Sequence, residues 1–267
     1  MKNNNGWINL NEKIILVTGG SSGIGARISQ MLHRNNAVVV ICDLNEADNW
    51  RDYASLFIKA DITSPDAVNK LVAEVISRYG KIDCLVNNAG VNRPRLMYDF
   101  YGKNSTYQAT EADFDFIVAV NQKAPFLCTQ AVLPAMIKQN SGTIINVSSE
   151  AGTEGSAGQS IYSATKGALN SFTRSWAKEY GRFNIRVVGI APGINKRTNM
   201  NSDENYKALA YTRGKQFDHI DDDYTGVIPL GRAGEHHEIA DLICYLASDH
   251  ASYISGTTIN ISGGKSR

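Results

Sequence analysis

The stretch IILVTGGSSGIG, residues 14–25, decides the fold, because an apolar run passes directly into a glycine-rich turn. The apolar half predicts a buried strand, and residues 24–35 continue with the pattern of a helix. Gly19, Gly23 and Gly25 would let the turn approach a pyrophosphate, which the free N–H groups of the helix N-terminus would bind. The spacing differs from G-x-G-x-x-G, and a plain turn is the alternative. The position between the first strand and the first helix nevertheless favours dinucleotide binding.

Beyond this turn, short apolar runs alternate with longer amphipathic stretches. Further strands are predicted at 37–42, 56–61, 83–88, 143–149, 185–192 and 257–262. Further helices are predicted at 65–79, 162–180 and 235–248. The stretch 111–140 predicts one or two helices, which Pro125 and Pro134 are expected to bend or divide. Apolar strands separated by helices predict an α/β fold, a doubly wound parallel sheet of the Rossmann-like type with helices on both faces. No linker or repeat divides the chain, so 1–267 is expected to form a single domain.

Composition excludes several classes of function. The chain has 267 residues, 43% of them hydrophobic, and a net charge of +1, so neither nucleic acid nor a membrane surface is an expected partner. The four cysteines show no CxxC or Cys/His spacing, which argues against a metal site and a disulfide framework. The polar N-terminus has no signal-peptide pattern, and no apolar run approaches the roughly 18 residues of a membrane span. A cytoplasmic location is therefore expected.

The interval 195–225 is polar and has no clear helical or strand period. A long segment without regular structure in a compact domain is often a lid or a binding loop. We therefore predict that this interval closes over a substrate.

Asp43 follows the second predicted strand, twenty residues after Gly23. A carboxylate at this point can accept hydrogen bonds from a ribose 2′-OH and would repel a 2′-phosphate. Ser21 and Ser22 add no positive charge that would attract such a phosphate. The sequence therefore predicts NAD rather than NADP, with a simple turn-forming role for Asp43 as the alternative.

The next decisive pair is Tyr162 and Lys166, four residues apart and so on one face of a predicted helix. A phenol keeps its proton until about pH 10, and a nearby positive charge favours phenolate. Lowering the tyrosine pKa to near 7 needs about 4 kcal/mol, which one lysine in a partly wet site would struggle to supply. The positive ring of an oxidised nicotinamide should supply part of it. Alone, the pair would fit an ordinary polar contact equally well.

The sequence contains five motifs in a fixed order: TGGSSGIG, NNAG at 87–90, Ser149, the Y-x-x-x-K pair and the PG at 192–193. This is the order found in the short-chain dehydrogenase/reductase family. The chain resembles that family from about residue 8 to its C-terminus. The resemblance implies a dimeric or tetrameric enzyme that moves a hydride between a nicotinamide cofactor and a carbonyl or alcohol.

The same resemblance implies the roles of individual residues. Tyr162 would be the general acid/base, Lys166 would lower its pKa and bind the nicotinamide ribose, Ser149 would bond the reacting oxygen, and Asn121 would hold a proton-relay water. The implied cofactor contacts are Gly19, Ser22, Gly23, Ile24, Gly25, Asp43, Leu44, Asp61, Ile62, Asn88, Ala89, Gly90, Tyr162, Lys166, Pro192, Gly193, Ile194 and Thr198. Among them, Thr198 lies one residue beyond the usual threonine position, which Arg197 occupies.

Basic residues crowd three segments near the expected mouth of the site, and acidic residues lie between Ser149 and Tyr162. The basic ones are Arg93 and Arg95, Lys196 and Arg197, and Lys265 and Arg267, and Arg213 can add to them. Arginine side chains bind phosphate through paired hydrogen bonds, and carboxylates accept hydrogen bonds from several hydroxyls. The predicted substrate is a phosphorylated polyol bound by Arg93, Ser149, Glu150, Glu154, Tyr162 and Arg197. The alternative is that these charges are solvated surface.

Residues 146–179, with NRPR at 92–95 and GGKSR at the end, resemble the members of the family that oxidise D-sorbitol 6-phosphate to D-fructose 6-phosphate with NAD+. Other readings are an enzyme for an unphosphorylated polyol, a sugar or a 3-oxoacyl substrate, and a non-catalytic NAD-binding regulator. A regulator would have no need of the complete catalytic set. The apolar stripe Ala164, Ala168, Phe172 and Trp176 predicts either core packing or a subunit interface.

Overall fold

The computed structural model describes residues 7–103, 105–198, 202–215 and 224–266, and its centre is a parallel seven-stranded sheet in the order β3-β2-β1-β4-β5-β6-β7. The strands are β1 (Ile14–Thr18), β2 (Val38–Asp43), β3 (Leu56–Lys59), β4 (Cys84–Asn87), β5 (Gly142–Val147), β6 (Ile185–Pro192) and β7 (Thr258–Ile261). The helices are α1 (Gly23–Arg34), α2 (Pro65–Tyr79), α3 (Glu111–Val118), α4 (Ala124–Gln139), α5 (Ala151–Glu154), α6 (Ser160–Tyr180), α7 (Asp203–Thr212) and α8 (His236–Ala247). The predicted doubly wound α/β architecture is confirmed.

Alternating residues of β1 supply two separate cores, one on each face of the sheet. Ile15 and Val17 pack in the cluster that contains residues of α1 and α8. Ile14 and Leu16 pack in the opposite cluster, which contains residues of α2, α4 and α6. Burying one such side chain completely contributes about 1.5–3 kcal/mol. Trp176 and Phe172 of α6 belong to the second cluster, where their rings stack with centroids 4.7 Å apart.

The predicted helical stretch 111–140 is divided in two by a π-helical turn, Ala119–Lys123. Pro125 has no N–H group to continue an α-helical hydrogen-bond ladder, and the register shift occurs directly before it. The second proline of the stretch, Pro134, lies inside α4.

The expectation that 195–225 lacks regular structure is wrong for its central part, which forms α7. Ser202 caps this helix by accepting a bond from the backbone N–H of Asn205, and Asp203 and Glu204 suit the positive end of its dipole. The cap signal was present in the sequence, but the weak amphipathic period hid the helix. Residues 199–201 and 216–223 of the interval lie outside the described part of the chain.

The sheet order reverses between β1 and β4, which leaves a crevice beyond the carboxyl ends of the strands. A cleft of about 1230 Å³ lies there. The four cysteines are free and buried, and burial raises the pKa of Cys42, Cys84 and Cys244 to about 12. Within the described ranges, no helix is long and apolar enough to cross a membrane, and no cluster of three metal-binding side chains occurs.

Candidate active site

The glycine turn at the end of β1 is shaped by backbone contacts. Gly19 and Gly23 have positive φ angles of 64° and 53°, which residues with a side chain adopt only with strain. A Cβ at Gly25 would collide with the carbonyl oxygen of Gly19 and lie 2.5 Å from Nδ2 of Asn88. The turn therefore has no room for side chains, and its backbone stays open toward the cleft.

Asn88 and Thr18 fix this turn to the end of β4. Asn88 Nδ2 donates to the carbonyl oxygens of Thr18 and Gly19, both at 3.0 Å. The Thr18 hydroxyl in turn accepts bonds from the backbone N–H groups of Asn88 and Ala89. The conformation of the turn is thus set before any ligand arrives.

The N-terminus of α1 faces the cleft with its first-turn N–H groups available. Ser22 occupies the N-cap position, but its side chain makes no capping bond, and the first turn contains no acidic residue. Ser22, Gly23 and Ile24 line the cleft. Because the dipole end is positive and its donors lack side-chain partners, this turn fits the pyrophosphate of a dinucleotide.

Asp43 is held in place at the end of β2. Its carboxylate accepts bonds from the backbone N–H groups of Ser21 at 3.1 Å, Leu44 at 2.7 Å and Asn45 at 3.3 Å. Asp61 accepts instead from the backbone and hydroxyl of Thr63. The predicted adenosine contacts that line the cleft are Asp43, Leu44, Asp61 and Ile62.

The remaining predicted cofactor contacts also line the cleft, namely Asn88, Ala89, Gly90, Pro192, Gly193, Ile194 and Thr198. Thr198 lies directly over the glycine turn, since a Cβ at Gly23 would be 3.2 Å from the Cβ of Thr198. The displaced position of this threonine along the chain therefore does not remove it from the site.

Lys166 is buried at the floor of the cleft. Its Nζ donates to the carbonyl oxygen of Val147 at 2.8 Å and lies 5.7 Å from the ring centroid of Tyr162. Burial lowers the pKa of Lys166 to about 8. Gly90 leaves the space above it, because a Cβ there would be 3.4 Å from Nζ.

Tyr162 is half-buried one helical turn before Lys166. Burial raises its pKa above the ordinary value, the charge of Glu150 adds to that rise, and the Ser149 hydroxyl opposes it. In this environment the phenol holds its proton at neutral pH, as expected if Lys166 alone is too weak to ionise it.

Ser149 and Ser148 have different surroundings. Ser149 lines the cleft beside Tyr162, and its hydroxyl accepts a local bond from the backbone N–H of Ala151 at 3.2 Å. Ser148 is 4% exposed and donates to the carbonyl oxygen of Lys166 at 2.8 Å. Ser149 is thus the serine that remains available to a substrate.

Asn121 lies in the π-helical turn and is fully buried behind the cleft. Its amide pairs with the backbone of Val91, accepting from N–H and donating to the carbonyl, both at 2.8 Å. A second bond from Nδ2 reaches the Thr165 hydroxyl on α6 at 3.3 Å. The side chain thus links the loop after β4 to helix α6.

The charged residues predicted to bind substrate fall into two groups. Glu150 lines the cleft and is 9% exposed; one carboxylate oxygen is paired with Lys265, while Oε2 has no partner among the described residues. Arg93 also lines the cleft and pairs with Asp113 at 3.2 Å. Glu154 and Arg197 are exposed and do not line it, and Arg197 pairs with Asp203 at 2.8 Å.

Helix α7 contributes cleft residues that the sequence did not single out. Asn205, Tyr206, Leu209 and Ala210 line the cleft, together with Lys215 just beyond the helix. Arg213, named only as an addition to the basic set, lines it as well. These residues were missed because the helix itself was not predicted.

Comparison with known proteins agrees with this geometry. The family model described as short chain dehydrogenase matches residues 13–208. Sorbitol-6-phosphate 2-dehydrogenase of Klebsiella pneumoniae is 48% identical, covering 98% of this chain and 99% of the relative. A 3-oxoacyl-[acyl-carrier-protein] reductase of Thermotoga maritima is 36% identical over 96% of this chain and 98% of its own.

Two solved structures have the same fold across nearly the whole chain. The 3-ketoacyl-(acyl-carrier-protein) reductase from Brucella melitensis, complexed with NADH, has a TM-score of 0.82 at 28% identity, covering 97% of this chain and 100% of its own. Levodione reductase has a TM-score of 0.83 at 31% identity, covering 96% and 98%. This chain is therefore an oxidoreductase that uses a nicotinamide cofactor, and it belongs to the short-chain dehydrogenase/reductase family.

Proposed function

We propose that this enzyme oxidises a phosphorylated sugar alcohol with NAD+, and that its substrate is D-sorbitol 6-phosphate, which becomes D-fructose 6-phosphate. One observation carries the proposal: a single cleft joins the glycine turn, the Ser149–Tyr162–Lys166 set, a buried carboxylate and several cations. The 48% identical relative named for this reaction supports it.

The preference for NAD rests on Asp43. Its carboxylate is oriented by three backbone N–H groups, and it remains available to the hydroxyls of an adenosine ribose. A phosphate on that ribose would meet the negative charge, and the nearby residues Ser21 and Ser22 supply no cation to offset it.

Tyr162 is the proposed general base for the alcohol. When bound, oxidised nicotinamide supplies the hydride acceptor and a positive charge. In the isolated chain, burial keeps the pKa of Tyr162 high, so the phenol becomes a base only when positive charge nearby stabilises phenolate. Tyr162 then accepts the hydroxyl proton while Ser149 holds the same oxygen.

Lys166 and Asn121 offer a route for that proton. Lys166 is buried without a carboxylate partner within the described chain, and its lowered pKa lets it give up a proton readily. An α-helix would pair the Asn121 carbonyl with the N–H of residue 125, which Pro125 lacks. That carbonyl is thus suited to hold a water molecule beside Lys166.

Glu150 is the proposed acceptor for the remaining substrate hydroxyls. Its unpartnered Oε2 is buried next to Gly193, since a Cβ there would lie 3.0 Å from it. A buried carboxylate oxygen without a partner carries a free-energy cost of about 1–3 kcal/mol or more. A polyol that donates to this oxygen removes the cost, whereas an acyl chain would not.

The main competitor is reduction of a 3-oxoacyl substrate, which the 36% identical relative favours. An unphosphorylated polyol or sugar is the other competing substrate, and a regulator without catalysis is the weakest reading. The dimeric or tetrameric assembly, the cytoplasmic location and the closure of 195–225 over substrate stay predictions.

The test is a panel of substrates, for which turnover is measured from the absorbance of the reduced cofactor. D-sorbitol 6-phosphate, D-sorbitol and a 3-oxoacyl thioester are each assayed with the NAD and NADP forms. We expect the highest kcat/KM for D-sorbitol 6-phosphate with NAD+. Equal kcat/KM for sorbitol and its phosphate would contradict the phosphorylated substrate, and faster thioester reduction would favour the competitor.

A further inference from the structure

The cations that line the cleft, apart from Lys166, differ in how their charge is balanced. Arg93 pairs with Asp113, and Lys265 pairs with Glu150. Arg213 and Lys215 have no carboxylate within ion-pair distance in the described ranges. An anionic ligand would therefore gain most from the positive charge of Arg213 and Lys215.

The guanidinium of Arg213 has only neutral partners. Nη2 donates to the Ser156 hydroxyl at 3.1 Å, and Nε donates to the carbonyl oxygen of Ala157 at 3.5 Å. Ser156 is itself oriented by donating to Oε1 of Gln159 at 2.6 Å. Nη1 makes no hydrogen bond within the described chain, so the outer edge of the guanidinium can take a ligand.

The backbone that carries Arg213 is fixed at the C-terminal end of α7. Gly158 has a φ of 77°, and a Cβ there would overlap the side chain of Thr212. The hydroxyl of Tyr211 donates to both carboxylate oxygens of Asp99, at 2.9 and 2.8 Å. Arg213 is thus placed beside the Ser149–Tyr162 segment before a substrate binds.

Arg93 is less suited to the same task. Its Nη1 is engaged by Asp113, and its guanidinium lies 4.1 Å from the ring centroid of Phe116. The side chain of Asp113 is 10% exposed and also closes the capping box of α3 with Thr110. Removing Arg93 would therefore disturb the start of α3, which is a structural effect.

We propose that Arg213, with Lys215 beside it, binds the phosphate group of the substrate and sets the preference for a phosphorylated polyol. This assignment replaces Arg93 and Arg197 as the phosphate-binding residues, and it rests on the proposed function. A guanidinium binds a phosphate through two parallel N–H bonds, a geometry that lysine cannot reproduce.

The test compares kcat/KM for D-sorbitol 6-phosphate and D-sorbitol in wild type, Arg213→Ala and Arg213→Gln. Glutamine keeps a long side chain that can donate to Ser156 but removes the charge. We expect both variants to lose about 10- to 100-fold on the phosphate ester, as for one charge-assisted bond, with less than about twofold change on sorbitol. Arg182→Ala is the matched control, because this exposed arginine precedes the amino end of β6, whereas the cleft lies beyond the carboxyl ends of the strands.

The outcomes separate the two proposals. If wild type does not prefer the phosphate ester, the proposed function fails, and this assignment fails with it. If wild type prefers the ester and both Arg213 variants keep that preference, or lose activity equally on both substrates, only the assignment to Arg213 is overturned. NAD+ affinity, measured by fluorescence titration, should stay within about twofold of wild type, since one removed contact elsewhere leaves the glycine turn intact.

Discussion

At the proposed cofactor end of the cleft, backbone atoms set the shape, whereas at the proposed substrate end charged side chains paired across the chain set it. The glycine turn is closed by contacts between Gly25, Gly19 and Asn88 that leave no room for a Cβ. The substrate end depends on Arg93–Asp113 and Glu150–Lys265, pairs separated by 20 and 115 residues. Almost any substitution in the glycine turn should disrupt its backbone. At the substrate end, single side chains can be replaced without changing the backbone.

Gly25→Val should produce the largest effect, because it would force two backbone segments apart at the cofactor turn. We expect loss of measurable NAD+ binding and a fall in turnover of about a thousandfold or more, by the loss of about 4 kcal/mol of cofactor positioning. Fluorescence titration with NADH and the turnover rate check this.

Gly181→Ala is the matched control, since the φ of −57° at Gly181 suits alanine and a Cβ there meets nothing within 4 Å. Normal NADH binding by Gly25→Val would show that the turn is not shaped by backbone packing.

The same contrast explains what the sequence could predict. The glycine spacing after a strand directly indicates a backbone constraint, so the turn, the sheet and the order of the elements could be predicted from the sequence. Which carboxylate pairs with Arg93 depends on how the loop after β4 meets the start of α3, and no local pattern encodes it. Helix α7 was missed because its apolar face is weak, and with it the cleft positions of Asn205 and Lys215.

Lys166→Met should stabilise the folded chain but reduce turnover, because Lys166 is buried between the two ends of the cleft. Burial lowers the pKa of this lysine from 10.5 to about 8, so the folded chain disfavours the charged form. The cost is fully present below pH 8 and disappears as pH rises toward 10.5. We therefore expect the variant to gain about 1–3 kcal/mol in free energy of unfolding at pH 7, and to lose that gain near pH 10.5.

Turnover of Lys166→Met should fall about a hundredfold or more, because the variant lacks a group that takes part in proton transfer. Urea denaturation of the cofactor-free protein at the two pH values measures the gain, with exposed Lys178→Met as control. If the stability gain of Lys166→Met increased with pH, it would contradict a buried lysine whose charged form is disfavoured in the folded chain.

Asp43→Asn should change the choice of cofactor with a smaller effect. Removing the charge weakens bonds to a ribose diol and removes the repulsion of a 2′-phosphate. We expect the ratio of kcat/KM for NAD+ over NADP+ to fall about tenfold, as for one charge-assisted bond. Asp241→Asn on the exposed face of α8 serves as control, and an unchanged ratio would remove Asp43 from the selection.

Tyr211→Phe should give the smallest effect, because it loosens one bond behind the substrate end. The variant removes the hydroxyl that donates to Asp99 and leaves the ring between Tyr101 and Tyr107. We expect KM for the phosphorylated polyol to rise about threefold at constant kcat, the size of a partly compensated hydrogen bond. Tyr253→Phe, at a fully exposed tyrosine, should change nothing. A larger effect on KM for NAD+ than for the polyol would contradict the division into two ends.

We propose that Tyr162 becomes a general base only when NAD+ is bound beside it. Its most direct test is Tyr162→Phe, with D-sorbitol 6-phosphate turnover and NAD+ affinity measured on the same preparation. We expect NAD+ affinity within about twofold of wild type and turnover lower by about a thousandfold, within the usual contribution of general acid–base catalysis. Turnover within tenfold of wild type would contradict it.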